Sequence, residues 1–168
     1  MHSSTRRVLT IVLSASLATA CGDSRRDDLV GAWRSQIQFG SGAFAGVKDL
    51  EFMYVFNAGG TLTESSNYDG APPVPPAYGT WRRIGPHQFE AKYAFYATRA
   101  PATFDDIANG GGWSPAGHGE LTEHITLSDD GRSYRSKISY AAFDRAGTPV
   151  DGSGEGTGIA ARMGAVEI

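Results

Sequence analysis

The residues in this chain with the chemistry to do something are few, and their spacing limits what they can do. Glu123 falls in line with Leu121, Ile125 and Leu127 at every second position, which sets a carboxylate on the apolar face of a strand. A carboxyl in that setting stays neutral or finds a cation, because desolvation raises its pKa. The other outcomes are a register shift that exposes it or pairing with an interior arginine such as Arg82. His118, Glu120 and His124 share the opposite face of the same segment at spacings of two and four. Such a set can contribute metal ligands, but no cysteine or second histidine cluster completes a shell, so a solvated outer face and no metal are expected. No serine has a base and orienter fixed by a motif, and no glycine-rich loop opens a helix, so neither nucleophilic chemistry nor a phosphate-bearing cofactor is expected. Asp105 and Asp106 read as charges in the first turn of a short helix capped by Thr103 and running through Asn109.

Strands must position these groups. Trp33, Ile37 and Phe39 alternate with Arg34, Gln36 and Gln38, and Leu50, Phe52, Tyr54 and Phe56 alternate with Glu51, Met53, Val55 and Asn57. Asn57-Ala58-Gly59-Gly60 turns the chain into Thr61–Ser65 as a hairpin. The run Pro72-Pro73-Val74-Pro75-Pro76 cannot donate to a ladder and is expected as an exposed loop. Strand pattern resumes at Tyr78–Ile84 and His87–Thr98, then at Glu120–Leu127, Ser133–Phe143 and Val150–Arg162. Residues 99–117 interrupt it, and Trp113 with the glycines before it suits a lid or a plain surface excursion. Eight strands with mostly short links predict an all-β fold, a single antiparallel up-and-down barrel, with a two-sheet sandwich as the alternative. The inward faces carry Phe52, Tyr54, Phe56, Tyr93, Phe95, Tyr134 and Tyr140. Opposite them Gly152, Gly154, Gly156 and Gly158 leave one face of the last strand bare, which either makes room for a ligand or lets large neighbours close in. The candidate ligand-binding set is Tyr54, Tyr93, Phe95, Glu123 and Tyr140.

The start of the chain has a different character. Arg6 and Arg7 precede an apolar run from Val8 to Leu17 that ends in Ala18, Thr19 and Ala20, the three-part pattern of a secretory signal. At about ten residues that run is half of what a membrane span needs. Leu17-Ala18-Thr19-Ala20-Cys21-Gly22 resembles the bacterial lipobox, although Ala18 stands where that family prefers leucine. Cys21 is the only cysteine, with no disulfide partner in an oxidising compartment. The resemblance implies a signal peptide over 1–20 and lipidation at Cys21; the polar run that follows makes 21–28 a tether, and the strand pattern makes 29–168 the barrel domain. The lipobox resemblance also implies an address in the bacterial cell envelope, at the outer membrane facing the periplasm, because Gly22 rather than aspartate follows the cysteine. Without Arg6 and Arg7 the 15 basic and 18 acidic residues become 13 and 18. A mildly acidic chain with no basic cluster is not a nucleic-acid binder.

Gly31-Ala32-Trp33 opens the first strand and resembles the Gly-X-Trp signature of lipocalins and the wider calycin group; Gly79-Thr80-Trp81 repeats the pattern at the fourth strand. The resemblance implies that Trp33 plugs the closed end of the barrel and that Arg162, near the last strand, packs across it. It further implies binding of a small, largely apolar ligand inside the barrel. Two other functions fit the same residues: an envelope protein with a filled barrel that meets an unidentified protein partner, and a barrel cyclase or isomerase using an aromatic cavity with one shifted carboxylate.

Overall fold

Period-two alternation leaves each segment one apolar face, and the faces are buried by wrapping the segments around one interior. In the computed structural model, which describes residues 28–68, 75–109 and 111–164, the strands are β1 (Gly31–Phe39), β2 (Leu50–Phe56), β3 (Thr61–Ser66), β4 (Ala77–Gly85), β5 (Gln88–Arg99), β6 (Ser114–Leu127), β7 (Ser133–Asp144) and β8 (Pro149–Arg162). Each pairs antiparallel with the next, and β8 pairs with β1, so the sheet closes into an eight-stranded up-and-down barrel. Closure leaves no edge strand and disposes of the sandwich alternative. The signal segment, Cys21 and most of the tether lie outside the described residues, as does most of the proline run.

One end is sealed by residues from the first and last strands. Trp33 of β1 is fully buried, and its indole N–H donates to the Leu29 carbonyl at 2.9 Å. Arg162 of β8 is its direct ladder partner, and the guanidinium lies over the indole with 4.3 Å from Cζ to the ring centroid. The same guanidinium donates to the carbonyls of Val30 (2.6 Å), Asp28 (2.6 Å) and Gly131 (2.8 Å). Glycine is required at 31 for two reasons: its φ is +136°, and a Cβ there would come within 2.8 Å of the Arg162 Nη1. Tyr134 also packs on Trp33, ring centroids 5.0 Å apart and tilted.

The other end collects the β1–β2, β3–β4, β5–β6 and β7–β8 connections. Here the alternating glycines of β8 find their use. Gly154 lies against the backbone of Ser41 and Gly42, where a Cβ would overlap the Ser41 carbonyl oxygen. The β1–β2 loop is fastened along β8 by hydrogen bonds from Gly40 N to Glu155 O (2.8 Å) and from Ala43 N to Gly152 O (2.9 Å). The bare face is therefore occupied, and the glycines serve close packing. The loop carries Phe44 across the interior, with its ring 5.4 Å from Phe39 and 4.8 Å from Tyr140.

Two elements differ in extent from expectation. β6 begins at Ser114, so the interruption is shorter than residues 99–117; the extra length pairs with β5 across a bulge at Ala97 and Thr98. Within the interruption Thr103 caps α1 (Phe104–Ala108) in a capping box with Asp106, and Asn109 is the C-cap. No residue of α1 is buried, so α1 packs no apolar face against the barrel.

A candidate ligand site at the open end of the barrel

Glu123 has no side-chain exposure. Its neighbours along β6, Leu121 and Ile125, are buried as well, and its ladder partners are Ala91 and Ile138. No register shift brings it outward. Arg82 does not reach it either: that guanidinium is on the outer wall, paired with Glu90 at 2.9 Å. Both escapes considered from the sequence are thereby ruled out, and the carboxyl is held by hydroxyls. Tyr93 donates to Glu123 Oε2 at 3.2 Å, and Tyr54 and Tyr93 hydroxyls meet at 3.1 Å. Tyr93 has only one proton to give, so Tyr54 is the donor in that second bond and the chain runs Tyr54 to Tyr93 to Glu123. Burial drives the Glu123 pKa upward, opposed by the dipoles of the Ser136, Tyr54 and Tyr93 hydroxyls. The Ser136 hydroxyl acts on it without a formed hydrogen bond, since both Ser136 Oγ and Glu123 Oε1 lack partners. The pKa values of Tyr54 and Tyr93 rise well above their usual value, chiefly by burial and then by the charge of Glu123.

A second carboxyl, not singled out from the sequence, shares this interior. Glu64 of β3 is 5% exposed, and its Oε1 is buried with no hydrogen-bond partner. Burial, reinforced by the charge of Glu123, pushes its pKa up to about 8. The signal for it was present, because Leu62 and Glu64 alternate in the same way as Leu121 and Glu123. Among the described residues every lysine and every arginine except Arg162 is exposed, and Arg162 is committed to Trp33 at the far end. Among the described residues this part of the interior thus holds two acids and no lysine or arginine.

Glu64 forms part of the wall of a cavity of about 220 Å³ at the open end. Phe44, Leu50, Phe52, Phe95 and Leu121 supply its apolar lining, with Ser66 and Tyr68 at its margin. The cavity exists where the wall is thin. The β3–β4 ladder stops at Glu64 and Ala77, and the β4–β5 ladder at Tyr78 and Ala94; beyond those rows no strand among the described residues stands between β3 and β5. Pro75 and Pro76 have no N–H and cannot carry β4 further, and Pro75 itself lines the cavity.

Of the five candidate ligand residues, Phe95 lines this space. Tyr54, Tyr93 and Glu123 lie deeper, between the cavity and Trp33, and Tyr140 stands beside it, stacked on Phe95 with centroids 6.2 Å apart. Phenylalanines and leucines, with a carboxyl in the wall, line this cavity, while Tyr54 and Tyr93 pack edge-on against each other at 5.9 Å and Tyr134 packs on Trp33. None of the described residues 100–113 lines it, so Phe44 covers this end and the Trp113 segment does not. His118 and Glu120 meet on the outer wall at 3.2 Å, and among the described residues no three His, Cys, Asp or Glu side chains gather as a metal site. No family model matches the sequence, and no curated protein matches it.

Proposed function

We propose that this chain is a lipid-anchored envelope protein of lipocalin-like type whose barrel binds a small, largely apolar ligand at its open end. The observation that carries the reading is the cavity itself: aromatic and aliphatic side chains make most of its wall, and one ionisable carboxyl, Glu64, stands in it beside a few hydroxyl-bearing residues. Binding sites for small molecules have that make-up, mostly apolar walls with few polar groups to fix orientation. The packing of Arg162 across Trp33 supports the calycin resemblance, and Cys21 in its lipobox-like setting supports the anchor.

Native mass spectrometry on protein extracted from its host's membranes tests both parts. The expected result is a mature chain beginning at Cys21 with acyl chains attached, together with a small-molecule adduct that Ala97→Trp removes by filling the cavity. An unmodified chain overturns the anchor; the absence of any adduct, combined with no binding of 2-phenylethanol to the purified protein, overturns the ligand.

A second reading rests on the outer wall, where Val55, Thr63 and Tyr78 are successive cross-strand neighbours. Tyr78 is 63% exposed and Tyr96, on β5, is 75% exposed. Exposed aromatics of this kind suit a protein partner, in which case the cavity is incidental.

A further inference from the structure

The small-ligand reading leaves open what the ligand is, and the interior narrows it. Glu64 presents a carboxyl that is nineteen-twentieths buried, with an oxygen that no protein group satisfies. Every group that faces it from the surrounding strands is acidic or neutral. Tyr54 is directly across on β2 and Ala77 on β4; Tyr93 projects from β5, and Glu123 from β6 adds a second acid whose charge reaches Glu64. The described histidines are elsewhere: His87 is in the β4–β5 turn at the closed end, and His118 and His124 are on the outer wall. Among the described residues no cationic side chain reaches this site, and a buried carboxylate is stable only when paired.

Building on that reading, we propose that the cavity takes a small apolar amine, bound as its ammonium ion against Glu64 with its hydrocarbon body among Phe44, Phe52 and Phe95. The aromatic lining suits this chemistry, since ring faces attract a cation that has lost its water. An inorganic cation does not fit as well, because hard metal ions require about six oxygen ligands, and the walls around Glu64 are mostly carbon. A ligand carboxylate is excluded by charge. When the ammonium enters, Glu64 gives its proton to solvent and the carboxylate and ammonium form a neutral pair. Ligand uptake is therefore coupled to release of one proton below the Glu64 pKa of about 8.

Isothermal titration with three near-isosteric probes tests this: 2-phenylethylamine, 2-phenylethanol and 3-phenylpropanoate. At pH 8 the amine is expected to bind at least about tenfold more tightly than the alcohol, with the acid weakest. Lowering the pH from 8 to 6 should weaken amine binding by about tenfold per unit and leave the alcohol unchanged. Glu64→Gln should abolish the amine's advantage, bringing its affinity down to that of the alcohol for the same variant. Equal binding of amine and alcohol, or an amine preference that survives in Glu64→Gln or shows no pH dependence in the wild type, overturns the amine and leaves small-ligand binding standing. If none of the three probes binds the wild type, both readings fall together.

Discussion

Tyr54 stands directly opposite Glu64 in the β2–β3 ladder, yet its hydroxyl is engaged with Tyr93 at 3.1 Å and the Glu64 Oε1 goes unsatisfied. The proton order explains this. Tyr93 spends its proton on Glu123, so Tyr54 must donate to Tyr93, and no proton is left for the carboxyl across the ladder. One acid is supported by the tyrosine chain and the other is left facing the cavity.

Stability should fall with rising pH because of Glu64. Its folded pKa of about 8 lies above the usual 4.5, so between those values the folded chain holds a proton that the unfolded chain has lost. The contribution is fully present below the unfolded value and disappears as pH rises through the folded one, at roughly 1.4 kcal/mol per unit. Glu123 shifts in the same direction. Urea titrations at pH 5 and pH 8 should show a loss of stability across that interval that Glu64→Gln reduces. Identical pH slopes for the two proteins would show that Glu64 titrates normally.

The closed end should depend on Arg162. Its guanidinium covers Trp33 and donates to three carbonyls, so Arg162→Ala should cost about 2–4 kcal/mol in chemical denaturation. Arg162→Lys should recover only part of this, because an ammonium cannot serve the three carbonyls as a planar fork does. A loss below about 0.5 kcal/mol would mean that the cap is ornamental to stability.

The glycines of β8 should be intolerant of even one methyl group. At Gly158 a Cβ would come within 2.6 Å of Ser136 Oγ and 2.9 Å of Ile37 Cδ1, and overpacking of this kind costs about 1–3 kcal/mol. Gly154→Ala should cost more, since the obstacle there is the backbone of Ser41 and Gly42. Thermal unfolding of the two variants checks the order, and a wild-type melting temperature for either contradicts the close packing.

Phe44 should govern the cavity without governing the fold. It is only partly buried and hangs from a loop, so Phe44→Ala should leave stability within about 1 kcal/mol while weakening 2-phenylethanol binding by about tenfold, through lost ring contact. Unchanged affinity would mean that the ligand site is not where Phe44 lies.

The barrel was legible because its information is local. Period-two alternation in segments such as Leu50–Phe56 and Phe89–Phe95 fixes both strand and inward face, and Asn57–Gly60 and Asp129–Gly131 fix the links. Glu123 was legible for the same reason, and Glu64 was within reach of the same argument. The cavity was not, because it depends on packing between residues far apart in the chain. Nothing near Phe44 says that its loop will lie along Gly152–Gly156, more than a hundred positions on. Equally, nothing in the glycines says that a loop backbone will fill the space they leave. Pro75 marked the end of a ladder, but only the closed sheet turns that ending into a thin place in the wall.

Carbon-13 NMR titration of the Glu64 side-chain carboxyl in the ligand-free protein reads out whether a buried acid without a counter-ion lines the cavity. A midpoint near 8 is expected. A midpoint near the ordinary value of 4.5 would mean that water or a hidden cation already satisfies Glu64, and it would contradict the account.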